Sequence, residues 1–188
     1  CNFNMVFYGR RYNLKNINFT NIVHRNYLCT TFLESIMNIF ILDKDPKTAA
    51  EYHCDKHVLK MILETAQMLC TAHWETGGQA PYRATHKNHP CTKWTRLNTS
   101  NYKWLCGLGL ELCAEYTSRY GKIHKTQQHI DWLSENIPNI PAGKLTDWPQ
   151  AMPDIYKNKS VVEAYRQYYM GEKRNIVKWK NSIPEWYN

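Results

Sequence analysis

From Asp45 to Gly121 the chain alternates helix-start signals with apolar residues at helical spacing, and one clear break, ETGGQAP at residues 75–81, interrupts the pattern. Asp45 can cap a helix whose first residue is Pro46, where a missing N–H costs nothing. The spacing predicts a helix from there to about His73, with Cys54, Val58, Met61, Ile62, Thr65, Leu69 and Ala72 on one core-facing arc. A second helix is expected near Pro90. A longer one should follow a Thr99/Ser100 cap, carry Leu105, Leu108, Leu112 and Tyr116 inward, and stop at Gly121. KTQQHIDWLSENI reads as a shorter helix, and SVVEAYRQYYMGEKR as the last. Between them residues 137–159 hold Pro138, Pro141, Pro149 and Pro153 and should be mostly loop. NIFIL at 38–42 reads as a strand or a buried extended arm. The expected fold is mainly α: a single compact helical domain with a short N-terminal extended arm and a Pro-rich loop before the last helix.

Residues 1–36 differ from the rest. They are rich in asparagine and scattered aromatics, show no clear periodicity and contain one acid, Glu34. Met37 opens the apolar run that follows. We therefore expect residues 1–36 to be a non-native or disordered extension, Met37 to be the natural start, and 37–188 to form the helical domain.

Composition narrows the class of function. The chain carries a net charge of +8, and residues 37–188 alone keep 20 basic against 15 acidic residues. With 7 Trp and 13 Tyr this favours an anionic partner that offers flat rings, as nucleic acid does. The seven cysteines include no CxxC pair and several fall in apolar helical stretches, so reduced buried thiols are expected. No apolar run is long enough to span a bilayer, which argues against a membrane role.

Two constellations carry chemistry. In the first, EYHCDKHVLKMILETAQ, residues His53, His57, Lys60 and Glu64 share a narrow arc expected to lie away from the core. Lys60 and Glu64, four apart, can form an ion pair, and a lysine with a depressed pKa can act as an amine nucleophile. An ordinary surface helix would also show polar residues here, although two histidines one turn apart are less routine. That pair could bind a divalent transition metal such as zinc, with a third ligand from His86, His89 or Cys91. In the second constellation, YRATHKNHPCTKWTRLNTSNYKWL, Arg83, His86, Lys87, Asn88, His89, Lys93, Trp94 and Arg96 could engage phosphates and bases. Trp94 has a competing place in the core, so the polar members carry more of that reading.

HKNHPCTKW followed by NYKWLCGLGLELCAEYTSRYGK resembles the pyrimidine-dimer DNA glycosylase family of phages and bacteria, through Lys87, Asn88, His89, Pro90, Trp94, Glu115, Arg119 and Gly121. The short arm before the first helix and the Tyr-rich segment YRQYYMGEK are similar to that family too. The HCDKHV…NHP signature also resembles uncharacterised proteins of large tailed phages. The family resemblance implies a mainly helical fold, binding of duplex DNA with an extruded base, and glycosidic cleavage with strand scission through an imine. We expect no cofactor, with a divalent transition metal such as zinc as the alternative.

In that family an N-terminal α-amine attacks and a glutamate on the first helix assists. Here Lys60 stands near the glutamate's place, with Glu64 one turn later. We expect a phage-type DNA-processing protein, working in the cytoplasm of an infected bacterial host, in which Lys60 attacks the sugar, Glu64 handles protons, and His53 and His57 stabilise the departing base or phosphate. The alternatives are a metal-dependent enzyme acting on nucleotides or nucleic acid, or a non-catalytic DNA-binding or host-interaction protein.

Overall fold

The computed structural model describes residues 5–7, 10–12 and 37–187. The chain divides into two units, Cys1–Ile36 and Met37–Asn188. In the first, β1 (Met5–Phe7) and β2 (Arg10–Tyr12) pair antiparallel with Met5 opposite Tyr12. The expectation that 1–36 is a non-native or disordered extension falls mostly outside the described residues.

In the second unit Asp45 accepts a hydrogen bond from the Thr48 N–H at 2.9 Å and starts α1 (Pro46–Tyr52), with Pro46 as its first residue. The continuous helix expected to His73 is in fact two. Extended backbone at His53 and Cys54 separates α1 from α2 (Asp55–Glu75). A break of this kind strands carbonyls at the end of the first helix and must supply them with donors. Arg119 does so from 66 residues away: its Nη1 donates to the His53 carbonyl at 2.8 Å and its Nη2 to the Glu51 carbonyl at 3.0 Å. The same guanidinium reaches Asp55 at 2.9 Å and Glu115 at 2.6 Å, with its side chain fully buried. No local pattern announces that clamp.

After α3 (Pro90–Thr95), Asn98 accepts from the N–H groups of Ser100 and Asn101 and opens α4 (Thr99–Tyr120). The cap is thus one residue earlier than the Thr99/Ser100 expectation. Gly121 closes the helix in the left-handed conformation at φ 63°, which an L side chain adopts only under strain. α4 packs against α1, α2, α3 and α5 (Gln127–Glu135). Gly109 permits this close approach, since a Cβ there would lie 3.0 Å from Thr65 and 3.1 Å from Ile130.

The proline-rich segment forms the expected loop, with one 3-10 turn at Asp154–Tyr156. It is strapped to α4: Thr99 N–H donates to the Pro141 carbonyl, and Asn101 exchanges hydrogen bonds with Thr146. Ser160 caps α6 (Val161–Met170). Residues 37–42 form an extended, buried arm, wedged between α2 and α6, whose Phe40 touches the rings of His57, Tyr165, Tyr168 and Tyr169. Cys54, Cys70, Cys91, Cys106 and Cys113 are free and buried. No helix among the described residues is long and apolar enough to cross a membrane.

Candidate active site

The core arc expected on α2 is buried throughout, from Cys54 to Ala72. The opposite row is divided. His53 is wholly buried, His57 and Glu64 are 6% and 7% exposed, and among the four only Lys60 is half exposed. The arm and α6 cover this side of the helix, so its open face is instead Lys56, Leu59, Lys60 and Leu63.

A carboxylate removed from water needs partners, and each oxygen of Glu64 has one. Oε1 lies 2.9 Å from Lys60 Nζ. Oε2 accepts from the main-chain N–H of Asn38 at 3.0 Å. One carboxylate therefore holds two nitrogens, one on its own helix and one on the arm.

The histidines sit deeper. His57 stacks on Phe40, with ring centroids 4.3 Å apart, and its Nδ1 is 2.5 Å from the Tyr169 hydroxyl. Burial pushes its pKa well down, helped by the positive charges of Lys173 and Lys60 and by His53. His53 is pushed down to about 4, by burial first and by Arg119 second, against the opposing pull of the Ala49 carbonyl. The neutral His53 ring donates from Nδ1 to that carbonyl at 2.6 Å, which leaves Nε2 bare and without a partner.

The second constellation meets the first at Asn38. His89 caps α3, its Nδ1 accepting from the Cys91 N–H at 3.2 Å, so its Nε2 carries the proton. Two residues on, the Cys91 thiol donates to Asn38 Oδ1 at 3.8 Å. Cys91, the residue after the Asn-His-Pro element, and the Glu64 carboxylate thus contact the same arm residue. Cys91 itself is held protonated, its pKa pushed up to about 12 by burial.

Arg83, His86, Lys87, Asn88 and Lys93 are exposed, His89 and Arg96 half-buried. His86 takes a positive φ of 46° and its Nδ1 pairs with the Thr85 hydroxyl at 2.7 Å. The loop before it is tied down by the Thr85 N–H to the Thr71 hydroxyl and by Trp74 Nε1 to the Tyr82 carbonyl. Arg96 leaves Nη1 without a partner. Trp94 is only 6% exposed and packs against Trp104 and Trp148. It belongs to the core and is not available for stacking on a base.

Among the described residues no three His, Cys, Asp or Glu side chains are gathered to hold a metal ion. The alternative ligand set of His53, His57, His86, His89 and Cys91 is therefore not assembled. The Nδ1 atoms of its four histidines have other partners. Two surface clefts lie elsewhere. One of about 460 Å³ is lined by Glu51, Glu115 and Glu185, whose charge repels phosphate. A shallower one of about 360 Å³ is lined by Gln79, Gln128, His129 and Trp132.

Sequence reasoning passed over Asn38, Tyr165 and Tyr169 as members of the site. Only an asparagine directly after Met37, on an otherwise apolar arm, was there to be noticed.

The fold and site define a helical protein with an amine and a carboxylate paired beside a basic, asparagine-containing helix entry. Residues 37–129 match the family model described as pyrimidine dimer DNA glycosylase, and that segment is similar to this family. No curated protein and no solved structure matches it. The matched segment takes in the arm, α1 to α4 and the first residues of α5.

Proposed function

We propose that the protein is a DNA glycosylase and abasic-site lyase acting on damaged or modified pyrimidines in duplex DNA, through an imine on an amine held by Glu64. The observation that carries this reading is the Glu64 carboxylate itself, buried and bonded to nitrogen on both oxygens.

Lys60 Nζ is the side-chain amine paired with Glu64. It is half exposed, so the deoxyribose C1′ of an extruded nucleotide can reach it. Held by a carboxylate it is cationic, and it attacks only after giving up a proton. Glu64, at 2.9 Å, takes that proton and later returns one as the imine forms and resolves. The nitrogen bonds to C1′ as the base leaves with its electron pair and takes up a proton; the C1′–O4′ bond then opens, O4′ gaining a proton and the nitrogen losing one, which leaves a C1′ imine. Elimination of the 3′ phosphate from the resulting imine then cuts the strand.

A second assignment of the amine is favoured by the other oxygen. Asn38 N stands 3.0 Å from Oε2, and the family match begins at Met37. A chain that starts at Asn38 carries its α-amine on Glu64, and one that keeps Met37 carries it one residue further out. In this reading residues 37–188 are the working domain, as the sequence suggests.

Arg83, Lys87 and Lys93 neutralise backbone phosphates, while Asn88 and the proton on His89 Nε2 offer hydrogen bonds at the helix entry. His53 and His57, neutral and buried, support the arm through Phe40.

The test is turnover on UV-irradiated and abasic duplexes with sodium borohydride present. The reading expects base release, strand scission and a reduced covalent adduct, mapped by peptide mass spectrometry to Lys60 or to the arm terminus. Salt-sensitive binding without turnover on either substrate would leave only a DNA-binding protein.

A further inference from the structure

We propose that Tyr165 is a positioning residue for the Glu64 centre and acts through Asn38; this rests on the glycosylase reading above. Tyr165 lies on α6, 127 residues along the chain from Asn38 and outside the segment that matches the family model.

Every polar atom of the Asn38 side chain is committed. Oδ1 accepts from the Tyr165 hydroxyl at 2.8 Å, from the Ile39 N–H at 2.8 Å and from the Cys91 thiol at 3.8 Å. Nδ2 donates to the Ala151 carbonyl at 2.9 Å. Donors surround the oxygen and a carbonyl faces the nitrogen, so the amide has one orientation. Tyr165 is itself fixed, fully buried, its one hydroxyl proton shared between Asn38 Oδ1 and the Pro149 carbonyl at 2.9 Å while its oxygen accepts from the Ala151 N–H at 3.2 Å.

An asparagine only 8% exposed on an otherwise apolar arm is a costly choice if the arm merely had to be packed. Ile39, Phe40, Ile41 and Leu42 already supply the apolar contact. What apolar packing leaves unset is register, because an extended segment can slide along a greasy groove at small cost. Moving it by one residue would turn the residue-38 N–H away from the carboxylate. The Tyr165 hydroxyl and the Ala151 carbonyl pin that register. With it they fix the nitrogen on Glu64 Oε2 and the angle at which Oε1 meets Lys60.

Tyr165→Phe removes the hydroxyl and keeps the ring that packs against Phe40. In the full chain we expect kcat on an abasic duplex, per folded molecule, to fall about 10- to 100-fold with KM unchanged, and the rate of borohydride trapping to fall with it. Asn38→Ala should show the same loss, and the double variant should be no slower than the worse single one, since both break one chain of contacts. A purely structural role would lower the melting temperature and leave kcat per folded molecule at the wild-type value. That result, with Glu64→Gln inactive, overturns the proposal while sparing the glycosylase reading. An active Glu64→Gln would overturn that reading as well. Should Tyr165→Phe fail to fold, Asn38→Ala alone decides by the same two outcomes.

Discussion

The polar row from His53 to Glu64 and the segment from Tyr82 to Arg96 each touch Asn38, through Glu64 and Cys91, yet they are built on opposite terms. His53, His57 and Glu64 are buried; both Glu64 oxygens and the Nδ1 atoms of both histidines are paired, while His53 Nε2 has no partner. Arg83, Lys87 and Lys93 stand in solvent with no ion pair recorded among the described residues. The difference teaches where precision is kept. Groups whose distance to a reacting atom matters are held by several contacts across the chain. In the proposed function Arg83, Lys87 and Lys93 meet a diffuse phosphate charge, which does not require fixed positions.

The strongest way to break that contrast is to cut the closed region at its clamp. Arg119→Met removes four hydrogen bonds, three of them to the α1–α2 break and one to Glu115 on α4, and leaves Asp55 and the Glu51 and His53 carbonyls without their guanidinium. Removing one member of a buried charged network costs about 3–5 kcal/mol, to be read as a lower urea midpoint. A comparable substitution on the loop, such as Lys87→Ala, should change stability by less than about 0.5 kcal/mol.

Acid sharpens the contrast next. The unfolded chain protonates His53 near 6.5, whereas the folded chain protonates it only near 4. Between those values the unfolded state binds more protons, so stability is complete above about pH 6.5 and declines as the pH falls toward 4. The loss at the bottom of that window is about 3 kcal/mol from His53, and His57, also shifted down, adds to it in the same direction. Urea denaturation at stepped pH follows this directly, and His53→Gln should flatten the decline.

The smallest effect belongs to the open region. Lys87→Ala and Lys93→Ala should each lower the salt slope of duplex binding by about 0.9 and leave kcat on saturating abasic duplex unchanged. Binding titrations at a series of salt concentrations measure it.

How much of this was legible beforehand follows from how local each cause is. Asp45, Pro46 and Gly121 act within one helical turn, and so the start of α1 and the end of α4 could be read from the residues. The apolar arc of α2 was equally plain. The other face was misjudged because a helical wheel shows which residues share a side and cannot show what covers it. Here the arm and α6 do, and their arrival turns a polar row into an interior one. The break at His53 and the pin at Asn38 escaped for a related reason: their partners, Arg119 and Tyr165, are 66 and 127 residues distant. Trp94 was offered both as a stacking ring and as core, and only the positions of Trp104 and Trp148 decide it.

The central claim, that Glu64 governs the attacking amine, is tested most directly by borohydride trapping on an abasic duplex with wild type and Glu64→Gln side by side. The account predicts a covalent protein–DNA adduct from wild type and a trapping rate at least about 100-fold lower from Glu64→Gln. Equal rates from the two, or no adduct from wild type, would contradict it.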